Sequence, residues 1–174
     1  MRMDHLFPDG AKLHQIIAHI PIVVLLVAPV LVLIGIALQP ARRDLFLAVA
    51  LGLMVFGTLA AFAAVGTGEA ALRVVGSAPG AQATLEEHRR LADSTVELFS
   101  VLTVGFGFLL FAPKLLHRRI EPHLNTALLA IYLVFYATGS LFLVHTALQG
   151  AHLVRALEAN TTASCHLAGK EIAR

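Results

Sequence analysis

Four histidines lie in or beside three apolar segments of this sequence, and their placement is compatible with a shared cofactor site. His14 and His19 stand five residues apart near the first segment, His88 precedes the third, and His145 lies near the end of the fourth. Imidazole is a common ligand of haem iron, copper and zinc. If the chain crosses a membrane four times, all four histidines lie on the same side of it. The cluster therefore predicts a cofactor site at one end of a helical bundle.

The spacing of these histidines indicates how a cofactor could be held. On one helix, His14 and His19 differ by about 140° in azimuth and by ~7.5 Å in rise, so each would point toward a different neighbouring helix. Haem b standing between helices could be held by histidines from two of them. We predict one or two haems, with His19 and His145 as the first ligand pair and His14 and His88 as the second. Copper or zinc would accept the same imidazoles, and histidines at a membrane boundary are also common as amphipathic surface residues.

Cys165 and His166 form a second candidate site near the end of the sequence. Covalent haem c attachment normally uses Cys-x-x-Cys-His, and here Thr162 stands where the first cysteine would be. Attachment of haem c through Cys165 alone, with His166 as an iron ligand, is one interpretation, and a free or partner-linked thiol is the other. A single cysteine excludes an internal disulfide and any multi-cysteine zinc or iron–sulfur site.

The composition is typical of an integral membrane protein. Of 174 residues, 57% are hydrophobic and only 14% are charged, and the mean hydropathy is +0.79. This is too apolar for a soluble domain of the same size. A formal net charge of +2 without a basic stripe between aromatic residues argues against nucleic-acid binding. The first apolar run is too long for a signal peptide and lacks a cleavage site, so we expect it to remain as a membrane span.

The apolar stretches predict an all-α, integral membrane four-helix bundle over residues 1–150, with spans at about 16–38, 45–65, 96–112 and 126–148. Residues 70–83, which contain glycines and a proline, are predicted to form a loop. Thr84 and Glu87 match a capping box, so helix three is predicted to begin there, to include His88 and to extend above the membrane. Residues 151–174 are predicted to form an ordered, polar, extramembrane tail. The sequence shows no internal repeat.

The density of basic residues predicts the orientation. The short loops at 39–44 and 114–125 are richer in Lys and Arg than the opposite side, which places these loops in the cytoplasm. Both termini and the four histidines would then lie on the periplasmic side of a bacterial inner membrane. Glu69 and Glu97 stand at the ends of spans two and three on that side. Either could orient an imidazole or relay protons, and Glu97 could instead pair with its neighbours Asp93 and Arg90 at the interface or with a partner chain.

The two ends of the bundle resemble a bacterial four-helix membrane family, catalogued as a domain of unknown function, number twenty-two thirty-one. Residues 13–21, Leu-His-Gln-Ile-Ile-Ala-His-Ile-Pro, are similar to its opening Leu-His-Pro-x-x-x-His-Phe-Pro, with Gln15 in place of the proline. Thr67 and Gly68 resemble its Thr-Gly after span two, without the Trp and Asp that follow there. Residues 138–145 resemble its ending Gly-Gly-x-Leu-Val-Tyr-x-His-Gly, with Thr146 in place of the last glycine. The resemblance implies a four-helix membrane bundle with histidines at one face and a redox role.

These features favour a membrane haem-binding subunit that passes electrons at the periplasmic face of a respiratory or photosynthetic complex. Its expected partners are lipid, other membrane subunits, a cytochrome c and a quinone. The alternatives are a structural accessory subunit and a copper- or zinc-binding membrane module. The sequence contains no nucleophile–base pair, phosphate loop or paired carboxylates in a substrate cleft, so we expect an electron-transfer or accessory subunit rather than an autonomous enzyme.

Overall fold

A computed structural model describes residues 10–75, 82–117 and 121–172, which form four helices in sequence order. They are α1 (Gly10–Ala37), α2 (Pro40–Val75), α3 (Gln82–Leu115) and α4 (Pro122–Ile172). Each contains a stretch long and apolar enough to cross a membrane: Ile16–Ala37, Arg42–Glu69, Gln82–Pro113 and Pro122–Arg155. The prediction of an all-α chain with four such helices is confirmed.

The helices are longer than the predicted spans on the side of the chain termini. Helix α2 continues to Val75, so the prediction of a loop from residue 70 was wrong for residues 70–75. The segment after Glu69 contains Ala, Leu and Arg, which favour a helix, and the next glycine is Gly76. Helix α3 begins at Gln82, two residues before the predicted cap, so Thr84 lies inside the helix. The predicted tail continues α4 as a helix through Ile172.

The helices pack in a ring in which each contacts the helix before it and the helix after it, and α4 contacts α1. The core consists of side chains from all four helices, with Leu25, Met54, Phe99, Phe106 and Tyr136 among the largest that are fully buried. Hydroxyl pairs add polar contacts between neighbours. Thr58 and Thr103 lie 2.9 Å apart between α2 and α3, and α3 and α4 make a similar contact through Thr95 and Thr146 at 3.0 Å.

Two glycines on α2 and two on α4 receive side chains from the preceding helix in the same way. A Cβ on Gly57 would lie 2.7 Å from Leu25 of α1, and a Cβ on Gly139 would lie 2.9 Å from Leu102 of α3. Gly68 and Gly150 lie eleven residues further along α2 and α4. Since eleven residues make three helical turns, both glycines of a helix face the same neighbour. The α1–α2 and α3–α4 hairpins therefore share a packing repeat, although the sequence shows no repeat.

Candidate cofactor site

The second glycine of each hairpin packs against a histidine ring. A Cβ on Gly68 would lie 3.0 Å from Cε1 of His14, and a Cβ on Gly150 would lie 2.9 Å from Cε1 of His88. Any residue other than glycine would displace the ring or the helix at these positions, because carbon atoms rarely approach so closely. The first helix of each hairpin thus contributes one imidazole, and the second helix provides the surface on which it lies.

His14 is partly buried between α1 and α2. Its Nδ1 lies 3.3 Å from the hydroxyl oxygen of Thr67, and the Thr67 hydroxyl donates a hydrogen bond to the carbonyl of Ala64 at 3.0 Å. Burial lowers the pKa of His14 below its usual value, an effect that the Ala64 carbonyl opposes in part. The ring is therefore neutral at pH 7, which is the form that binds a metal ion.

His88 lies on the adjoining hairpin and is also partly buried. Its Nδ1 atom is buried and has no hydrogen-bond partner among the residues that the structure describes. Since a buried polar atom without a partner costs free energy, such an atom is a natural point of contact for a ligand. The residue after His88, Arg89, contacts the residue after Gly68, Glu69, and Gly68 packs against His14, so the two rings lie at the same end of the bundle.

The remaining predicted ligands are placed differently. The side chains of His19 and His145, predicted as the first ligand pair, are exposed on the outer surface of the isolated chain. Cys165 and His166 lie on the last part of α4, and their side chains fall outside the described part of the structure. Within residues whose side chains are described, no group of three or more His, Cys, Asp or Glu could hold a metal ion. Of these histidines, His14 and His88, the second predicted pair, are the two whose rings are partly buried against a neighbouring helix.

An ion pair links α2 and α3 beside this site. Arg89, which follows His88, donates to Glu69, which follows Gly68, with an Nη2–Oε1 distance of 2.7 Å. Both side chains are about half exposed, so the pair contributes little stability by itself, on the order of 0–1 kcal/mol. Glu69, which was predicted to orient an imidazole or relay protons, is observed in an ion pair with Arg89. Glu97 is exposed on α3.

Three residues of the site were not among the predicted site residues: Thr67, Gly68 and Gly150. Thr67 and Gly68 entered the sequence prediction only as part of a family-like motif, and Gly150 is the second residue after the last predicted span. A glycine just beyond an apolar stretch more often marks the end of a helix than a contact surface. The equal spacing of the glycine pairs on α2 and α4 is the signal that could have identified them.

No family model, curated protein or solved structure matches this chain. The resemblance of its ends to the four-helix membrane family described above therefore stays a prediction.

Proposed function

We propose that this chain is a haem-binding electron-transfer subunit of a bacterial membrane complex, with His14 and His88 as axial ligands of one haem b. The observation that carries the proposal is that these two imidazoles occur at one end of the bundle, each from the first helix of a hairpin and each packed on a glycine of the second. The matching arrangement in two hairpins suits a planar group that is bound from both faces by equivalent ligands.

The number of ligands favours haem over a bare metal ion. A zinc site generally uses three or four protein ligands, whereas haem supplies four equatorial nitrogens and needs at most two from the protein. His14 and His88 are the two candidate ligands here, and the described side chains provide no group of three or more His, Cys, Asp or Glu that could hold a metal ion. A copper- or zinc-binding module is therefore the weaker alternative.

The state of each ring is also suited to iron. The lowered pKa of His14 keeps its ring neutral, so a nitrogen lone pair is available without competition from a proton at pH 7. His88 has an unpartnered, buried ring nitrogen. Bound haem would supply reversible one-electron transfer, and the chain would fix its axial ligands and limit access of water, two factors that set a haem's reduction potential.

Helix length supports a position for the site at a membrane surface. Thr67 lies 23 residues beyond Asp44, and His88 lies 26 residues before Lys114, which correspond to rises of ~35 Å and ~39 Å. Both rises exceed the ~30 Å thickness of a hydrocarbon core, if one edge of that core lies at Asp44 and Lys114. We propose that the histidine pair lies in the headgroup region and that the ends of α2, α3 and α4 project beyond it. The density of basic residues in the short loops makes this the periplasmic side.

A site at that surface would be within reach of a soluble cytochrome c or of a quinone in the bilayer. We propose that the subunit works within a larger respiratory or photosynthetic complex, in agreement with the redox role that the family resemblance implies. A haem c on Cys165 with His166 would add a second centre on the projecting end of α4. A structural accessory subunit is the alternative from another class of function.

The proposal can be tested by purifying the protein from haem-supplemented cells and recording reduced-minus-oxidised spectra with a haem determination. We expect one haem b with the spectrum of bis-histidine ligation. His14→Ala and His88→Ala should each abolish that spectrum, whereas His19→Ala and His145→Ala should preserve it. Haem-free wild-type protein, or a spectrum that depends on His19 and His145 instead, would overturn the assignment.

Glycine variants can distinguish an effect on the haem site from a general effect on the helices. Gly68→Ala and Gly150→Ala should reduce haem occupancy at least tenfold, because the added methyl group displaces an imidazole. Gly66→Ala is the matched control on the same helix, since its Cβ would meet nothing within 4 Å, and it should bind haem normally.

Stoichiometric copper or zinc that disappears in the two histidine variants would instead support the metal-binding alternative. Unchanged activity of the host complex without both histidines would support a structural role.

A further inference from the structure

We infer that Thr67 is a positioning residue that fixes the tautomer of His14. In that tautomer Nδ1 carries the proton, and the lone pair of Nε2 is available to the haem iron. The two nitrogens of neutral imidazole are chemically distinct, and the hydrogen bond made by one determines which of them can bind a metal. The inference rests on the proposed function only for the identity of the ligand, because the tautomer is a property of the protein itself.

The single proton of the Thr67 hydroxyl decides which nitrogen of His14 carries a hydrogen. That proton lies in the hydrogen bond to the Ala64 carbonyl, three residues earlier on α2. A Thr side chain in a helix commonly makes this bond to the preceding turn. Ser100, Thr138 and Ser140 make similar bonds in this bundle, in each case to the carbonyl four residues earlier.

With its proton in use, the Thr67 oxygen can only accept a hydrogen bond from Nδ1 of His14, 3.3 Å away. Nδ1 must then carry the hydrogen. Nε2 is consequently the unprotonated nitrogen, and the chain Ala64–Thr67–His14 holds the ring in its orientation on Gly68.

The other hairpin lacks this arrangement. Gln149 precedes Gly150 as Thr67 precedes Gly68, but Nδ1 of His88 has no hydrogen-bond partner among the described residues. The two imidazoles are thus equivalent in backbone placement and different in hydrogen bonding. A hydrogen bond from Nδ1–H increases the basicity of Nε2, so Thr67 would make His14 a stronger electron donor through Nε2.

The tautomer can be measured on haem-free protein by ¹⁵N NMR with labelled histidine above pH 7, using His14→Ala to assign the resonances. We expect wild-type His14 to be protonated at Nδ1 and unprotonated at Nε2. Thr67→Val, which has a similar shape, should shift His14 toward a mixture of tautomers. Thr67→Ser should restore the wild-type spectrum, and the matched control Thr58→Val, whose hydroxyl contacts Thr103 instead, should leave it unchanged.

Protonation of His14 at Nε2 in the wild type, or a wild-type tautomer in Thr67→Val, would overturn the inference. In the haem-loaded protein, Thr67→Val should raise the midpoint potential and Thr67→Ser should not, and an unchanged potential would contradict the positioning role. Since the NMR measurement needs no haem, an Nδ1–H tautomer in a protein that never binds haem would overturn the proposed function and leave this inference intact.

Discussion

The hydroxyl of Tyr136 donates a hydrogen bond to the backbone carbonyl of Leu25, with an oxygen–oxygen distance of 2.8 Å. This carbonyl has no donor within its own helix, because the residue four positions later is Pro29, which lacks an N–H group. Tyr136 is fully buried on α4, and Leu25 is fully buried on α1. A side chain of the last helix thus satisfies a backbone group that the proline of the first helix leaves free.

Tyr136→Phe should lower the free energy of unfolding by about 1–3 kcal/mol, since the Leu25 carbonyl would remain buried without a donor. Unfolding by SDS in mixed micelles would measure the loss. Tyr132→Phe is the matched control: its hydroxyl donates to Leu102, a carbonyl that also accepts from its own helix, so its loss should be closer to ~0.6 kcal/mol. Pro29→Ala should recover stability in the Tyr136→Phe background, and equal losses for both tyrosines would contradict this account.

The glycines nearer the middle of α2 and α4 give a second prediction, on stability. Gly57→Ala should destabilise the bundle by about 1–3 kcal/mol, because its methyl group would overlap the fully buried side chain of Leu25. Gly139→Ala should cost less, since the closest approach of its Cβ is longer, 2.9 Å to the terminal Cδ1 of Leu102. Gly52→Ala, whose Cβ meets nothing within 4 Å, should stabilise α2 by up to ~1 kcal/mol.

Thermal unfolding in detergent would rank these three variants. The cost of Gly57→Ala should shrink when Leu25→Ala is present, because the smaller side chain leaves room for the methyl group. Additive losses in the double variant would show that the two residues do not compete for the same space.

Stability of the haem-free protein should depend on pH through His14. Burial lowers the pKa of His14 in the folded state from its usual 6.5, so below that value the unfolded chain binds more protons than the folded one. The unfolding free energy should therefore decrease as pH falls from about 6.5 toward the folded-state pKa, and this contribution should level off below it. Denaturant titrations of wild type and His14→Gln at several pH values in this window would give the unfolding free energy of each as a function of pH. The slope against pH should be steeper for wild type, and identical slopes would contradict the prediction.

The number of membrane-length helices could be predicted from sequence because it depends on local properties. About twenty consecutive apolar residues can satisfy their backbone groups in lipid only as a helix. Four such stretches also place His14 and His88 on the same side without further information. The far ends of α2 and α4 were harder to predict, since helix formers such as Ala and Leu occur in loops as well as in helices, and packing decides between the two.

Which histidines face inward could not be predicted, because the bundle is apolar on both its inner and its outer surface. A soluble helix marks its buried side by hydrophobic periodicity, but a membrane helix presents Leu, Val and Phe to lipid as well as to its neighbours. Phe108 and Leu141 are about 70% exposed, whereas Phe99 and Leu102 on the same kind of segment are buried. The exposed His19 and the partly buried His14 were therefore equivalent candidates in the sequence.

The sequence by itself determined that this is a chain of four membrane-length helices, with four of its histidines near the same end of them. Only the tertiary structure decided that His14 and His88 meet glycines, that Thr67 contacts one of the rings, and that Tyr136 covers the carbonyl freed by Pro29. The physical reason is that helix formation depends on neighbours along the chain. The rotation of each helix about its axis depends on contacts between residues that are 51 to 111 positions apart.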